Sequence, residues 1–72
     1  MQIRLSENIR ALRRRHGLTQ EQLAEALGMT PGAVYKWEAG LSQPELVVIV
    51  ELADLFQVSM DVLVGYELRN ND

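Results

Sequence analysis

Only Met29 and Thr30 separate Gly28 from Pro31, and this short joint limits what the middle of the chain can fold into. Before it, Leu23, Ala24 and Leu27 recur at helical spacing; after it, Val34 and Trp37 lie three residues apart. Glycine supplies the positive φ that ends a helix. Proline suits a first helical turn, where a missing N–H costs nothing. Thr19 and Gln22 have the spacing of a capping box, and Thr30 is placed to cap the segment that follows. Two helices with so short a joint must meet at a sharp angle. A tight crossing needs a small residue at the contact, which is Ala24, and a compact β-branched partner, which is Val34. Leu23, Leu27, Met29 and Trp37 complete the expected shared core.

The remainder reads as three more helices. Ser6 is the expected N-cap of a first helix over about residues 7–16, with Leu5, Ile9 and Leu12 as its buried stripe. Its last turn holds Arg13, Arg14, Arg15 and His16, where the helix dipole favours positive charge, and Gly17 ends it. Pro44 is read as opening a fourth helix through Phe56, with Leu46, Ile49, Ala53 and Phe56 inward. Ser59 caps a fifth over residues 60–64, ended by Gly65. Residues 66–72 read as a tail loose at its end. Residues 2–5 and 66–69 both alternate polar and apolar, so a short strand pair there stays open. The expectation is an all-α, compact five-helix bundle forming one domain over residues 1–72. Hydrophobic residues are 47% of the chain and cysteine is absent, so the core must hold without disulfides. The longest apolar run, residues 46–50, is far short of the roughly 18 residues of a membrane span. The charged N-terminus does not read as a signal peptide, so a cytoplasmic protein is expected.

The net charge of −3 hides an uneven distribution. Residues 1–20 carry five arginines against Glu7, whereas residues 21–72 carry Lys36 and Arg69 against nine acids. Phosphate binding needs a local basic face rather than a basic average. Arg13 to Arg15 read equally well as a solvated helix end, and Arg4, Arg15 and Arg69 as solubilising charge. His16 has no second histidine or cysteine to share a metal, so no metal and no cofactor is expected. Trp37 reads as core rather than a stacking platform. Ser6, Ser42 and Ser59 read as caps or turn residues. With no nucleophile–base pair, phosphate loop or carboxylate dyad, no catalysis is assigned.

Three segments stand in order between Leu5 and Gly65: L-T-Q-E-Q-L-A, W-E-x-G, and P-E-L…L-A-D-L-F-x-V-S-x-D-x-L. Together they resemble the phage repressor and Cro family of transcriptional regulators, also called the xenobiotic-response-element family. The resemblance implies a bacterial or phage-encoded regulator, a repressor in the first instance. Its helix-turn-helix would span residues 20–39 and lay its third helix in the major groove of double-stranded DNA. Base contacts would come from Pro31, Gly32, Ala33, Tyr35 and Lys36. Lys36 would be the strong donor to guanine, Tyr35 would bond a base or phosphate, and Ala33 would touch a thymine methyl. Phosphate contacts would come from Thr19, Gln20, Thr30, Arg10 and Arg14, with the backbone N–H groups of Thr19 and Gln20 helping. Arg13 and Glu38 match an ion pair between the first and third helices. Val62, Val64 and Tyr66 match a homodimer surface suited to a near-palindromic operator, with Val47 or Val48 as a second apolar patch. The chain departs from the family at Pro31 and Gly32, where relatives often carry hydrogen-bonding side chains, and at Ala39, where they often carry asparagine. Those departures and the acidic body keep an alternative open: a protein-interaction module, such as an antitoxin or anti-repressor, with a protein partner and weak DNA binding.

Overall fold

In the computed structural model, which describes residues 4–65, Thr19 begins the central pair of helices as the sequence predicts. Its hydroxyl accepts the Gln22 N–H at 3.0 Å, and the Gln22 side chain accepts the Thr19 N–H at 2.8 Å. This box starts α2 (Gln20–Leu27), and Gly28 ends it in the left-handed conformation with φ of 69°. Thr30 then accepts the Ala33 N–H at 3.2 Å, with Pro31 in the first turn of α3 (Pro31–Glu38). Around this pair stand α1 (Leu5–Arg15), α4 (Leu46–Phe56) and α5 (Met60–Val64). Ser59 caps α5 by accepting the Val62 N–H at 3.1 Å. The expected all-α five-helix architecture is therefore present in the described residues.

The core joins all five helices. Ile9, Leu23, Val34, Leu52 and Leu63 are its largest fully buried side chains, one from each of α1 to α5. Each such burial stabilises the fold by about 1.5–3 kcal/mol, so no helix is peripheral. Trp37 lies in this core, as its spacing predicts. Among the described residues no helix is long and apolar enough to cross a membrane.

Five expectations need correction. Ser6 is not an N-cap: α1 begins at Leu5, after Arg4, and Ser6 sits inside its first turn. The start of α1 is anchored by tertiary contacts instead. The Arg4 N–H donates to the Val64 carbonyl at 2.7 Å, and Asn8 Nδ2 donates to the carbonyls of Val62 and Leu63 at 3.2 and 3.1 Å. This approach leaves no room for a side chain at Gly65, where a Cβ would lie 2.7 Å from Asn8 Nδ2. The helical Leu5 also limits any strand at the N-terminus; residues 2, 3 and 66–69 lie outside the described residues, as does the rest of the tail.

Pro44 does not open α4 either. It is buried ahead of the helix, Glu45 stays extended as the N-cap, and the helix starts at Leu46. From that start Val48, Leu52, Ala53 and Phe56 face inward, while Leu46 is 69% exposed and Val47 is also outside. Leu46 is therefore not core, and Val48 is not a surface patch. Met29, finally, is exposed rather than part of the shared core. Its N–H turns back to the Ala24 carbonyl at 2.8 Å, and the left-handed Gly28 directs the chain outward there.

Candidate nucleic-acid interface

Val34 and Trp37 bury one side of α3 and thereby turn the opposite side to solvent. Pro31, Gly32, Tyr35 and Lys36 are all exposed, Tyr35 by 55%. Their spacing puts them on one surface of the helix. Ala33, the fifth residue expected to contact bases, is half-buried against the core and stands back from the other four. Lys36 is the one charged side chain on this exposed surface of α3.

The far end of α3 is held by a buried carboxylate. The Glu38 side chain is 1% exposed and takes the guanidinium of Arg13 in a two-pronged contact. Arg13 Nε donates to Oε2 at 2.6 Å and Nη2 donates to Oε1 at 2.9 Å, while Nη1 donates to the Leu18 carbonyl at 2.9 Å. The ion pair implied by the sequence is thus formed, and it joins α1 to α3. Two partners escape the sequence reading. Gln20 Nε2 donates to Glu38 Oε1 at 3.1 Å, which brings in α2. Arg10 Nη2 donates to the Glu38 carbonyl at 3.1 Å, and its Nε lies 3.6 Å from Oε1. The signal for Arg10 is its three-residue spacing from Arg13, which puts both guanidiniums on one face of α1. Burial pushes the Glu38 carboxyl up, but the hydrogen bonds from Arg13 and Gln20 and the charges of Arg13 and Arg10 outweigh it and hold the group below the ordinary glutamate range. The same hydrogen bond to Glu38 raises Arg13 above the ordinary arginine range.

These contacts reorder the expected phosphate ligands. Thr19, Thr30 and Arg14 are exposed, and Gln20 keeps its second amide proton beyond the one used on Glu38. The Thr19 N–H is already taken by Gln22, so of the two backbone groups expected at this helix end it is not the available one. Arg10 is drawn to Glu38. Among the residues expected at a dimer surface, Val62 is 57% exposed, Val64 packs partly against the core, and Tyr66 lies outside the described residues. His16 sits at the exposed end of α1 with its ring 5.2 Å from that of Phe56. Among the described residues no group of three His, Cys, Asp or Glu side chains is placed to share a metal ion.

The helix-turn-helix family model matches residues 9–63. The chain belongs to that family. An uncharacterised HTH-type transcriptional regulator of Bacillus subtilis, YobD, is 41% identical to this helix-turn-helix chain over 59 residues, covering 82% of the chain and 53% of YobD. The chain thus spans about half the length of that relative. A transcriptional regulator from Listeria innocua superposes with a TM-score of 0.89 at 34% identity, covering 100% of this chain and 68% of the other. The P22 c2 repressor, in a crystal with a synthetic operator, superposes with a TM-score of 0.81 at 27% identity, covering 93% of this chain and 100% of the repressor. The phage-repressor likeness stated from the sequence therefore holds for both family and fold.

Proposed function

We propose that this protein is a transcriptional regulator, a repressor in the first instance, that binds double-stranded DNA by placing α3 in the major groove. The observation that carries this reading is the exposed surface of α3, with Tyr35 and Lys36 outward and Val34 and Trp37 bracing it from behind. The helix-turn-helix membership and the operator-bound P22 c2 repressor support the same use of the fold. Lys36 reads the O6 and N7 acceptors of guanine, and Tyr35 bonds a base or phosphate. Pro31 and Gly32 offer no side-chain hydrogen bond, so part of the discrimination comes from groove shape. Ala33, set back against the core, touches a thymine methyl only when the helix is deeply seated. Thr19, Gln20, Thr30 and Arg14 hold phosphates at the two helix starts and along α1.

The protein works as a homodimer on a near-palindromic site, joined through the exposed Val62 and through Val64, with Tyr66 the third residue assigned to that surface. Val47 supplies a second apolar surface. Two copies on half-sites one helical turn apart roughly double the contact free energy available to one short helix.

Selection of bound duplexes from random sequence, followed by titration at several salt concentrations, tests this reading. A dimer making about 3–4 phosphate contacts per subunit gives a log–log salt slope of about −5 to −7. Lys36→Ala weakens the selected site more than random DNA, whereas Gln20→Ala weakens both alike. The absence of any shift with any duplex at low ionic strength would sink the proposal. One observation favours a second reading, a protein-interaction module, such as an antitoxin or anti-repressor, that keeps the fold with weak DNA binding. Residues 41–65 carry Glu45, Glu51, Asp54 and Asp61, all exposed, and no Lys, Arg or His. A single tight protein partner recovered without DNA would select that reading.

A further inference from the structure

Arg10 stands among the residues expected on phosphate, yet its guanidinium is turned to the last residue of α3. A helix leaves its final carbonyls without intrahelical partners. At the end of α3 the N–H of Gly40 turns back to Trp37 at 3.2 Å, and those of Leu41 and Ser42 turn back to Lys36 at 2.9 and 3.4 Å. The Glu38 carbonyl is passed over by all three. Arg10 Nη2 supplies its donor at 3.1 Å, while Nε of the same planar group faces the Glu38 carboxylate at 3.6 Å. A cation here also suits the negative end of the helix dipole.

Charge balance shows what Arg10 adds. Arg13 already meets both carboxylate oxygens of Glu38 at 2.6 and 2.9 Å. The Arg10 charge is therefore surplus to neutralising Glu38, and its distinct contribution is the fork that grips carbonyl and carboxylate of one residue together. A lysine would keep the charge but not the fork. Glu38 follows Lys36 by two residues, so fixing this end fixes the rotation and depth of the Tyr35–Lys36 surface.

We propose that Arg10 is a positioning residue for α3, setting how sharply the protein distinguishes its operator from other DNA, and is not a phosphate ligand. The proposal rests on the DNA-binding reading above. The Arg10 side chain is 47% exposed, so the variants Arg10→Lys and Arg10→Gln are compatible with a folded protein.

The test compares wild type and both variants by fluorescence anisotropy, on a duplex obtained by selection and on a random duplex of equal length, across a salt series. Amide hydrogen exchange at Ala39 and Gly40 is followed without DNA. For Arg10→Lys the expected result is an unchanged salt slope, an operator-to-random affinity ratio lowered by about fivefold or more, and faster exchange at both amides. The proposal is overturned if Arg10→Lys keeps the ratio within about twofold while Arg10→Gln reduces the salt slope by about 0.9 per subunit, the signature of a lost phosphate contact. It is equally overturned if exchange at Ala39 and Gly40 is the same in all three proteins. Wild-type protein that binds no duplex would instead count against the DNA-binding reading, leaving the exchange result to decide whether Arg10 holds the end of α3.

Discussion

The stretch from α1 to α3 and the stretch from α4 to α5 meet at one apolar core but are tied to it by different chemistry. In the first, a buried carboxylate gathers Arg13, Gln20 and Arg10 from two other helices, and α2 and α3 each start on a threonine cap. In the second, α4 starts without a side-chain cap and ends on Gln57 in the left-handed conformation, and α5 starts on the Ser59 cap and is bonded to the start of α1 through Asn8. Among the described residues no buried charge joins this pair to the core, which Leu52, Phe56 and Leu63 enter by apolar burial. Hydrogen bonds are directional and apolar contacts are not. The one buried charged residue among those described, which gathers directional contacts from two other helices, thus stands where the angle of α3 has to be fixed. A buried ion pair often adds little net stability over an apolar substitute, so its use at this place fits a role in setting geometry.

The largest effect should come from removing the shared carboxylate. Glu38→Ala leaves the largely covered Arg13 guanidinium with the Leu18 carbonyl as its remaining partner, and a loss of about 4 kcal/mol in denaturant unfolding is expected. Leu52→Ala, in the other region, should cost about 3 kcal/mol through lost burial and the cavity left behind. Acid separates these two cases. Glu38 titrates lower in the folded protein than in the unfolded chain. Its contribution is fully present above the unfolded value and is lost as pH falls through the lowered folded value. The gap between wild type and Glu38→Ala should therefore narrow on the acid side, while the Leu52→Ala gap persists. Equal acid responses of the two gaps would break the contrast between the regions.

Two smaller changes sharpen it. Thr19→Ala removes the hydroxyl of the capping box and should lower stability by about 1 kcal/mol, read as a fall in melting temperature. Gln57→Gly relieves a positive φ of 59° at the end of α4 and should raise stability by about 0.5 kcal/mol. A loss at Gln57→Gly would mean that its side chain, 3.4 Å from the Asp54 carbonyl, contributes more than its long hydrogen bond suggests.

The legible parts of the sequence were those whose structure is decided within a few residues. Thr19 with Gln22, Thr30 with Pro31, and Ser59 each announce a helix start because the capping group and the N–H it serves are three positions apart. Arg13 and Glu38 were legible only through the family likeness, because 25 residues separate them. Ser6 misled because α1 begins on contacts from α5, which no local pattern records. The register of α4 was hidden for another reason. Residues 46–50 are all apolar, so no polar residue marks which side faces water. At the candidate site, the exposed surface of α3 followed from the spacing of Val34 and Trp37, but the diversion of Arg10 and Gln20 to Glu38 depends on how three helices cross.

The bond between the Arg4 N–H and the Val64 carbonyl brings the start of α1 and the end of α5 side by side. From α1 to α5 the backbone is therefore nearly a closed ring, and the packing of these helices does not privilege the point where that ring is cut. A rearranged gene that joins position 65 to position 4 through a short linker and opens the loop at residues 41–43 should yield the same bundle.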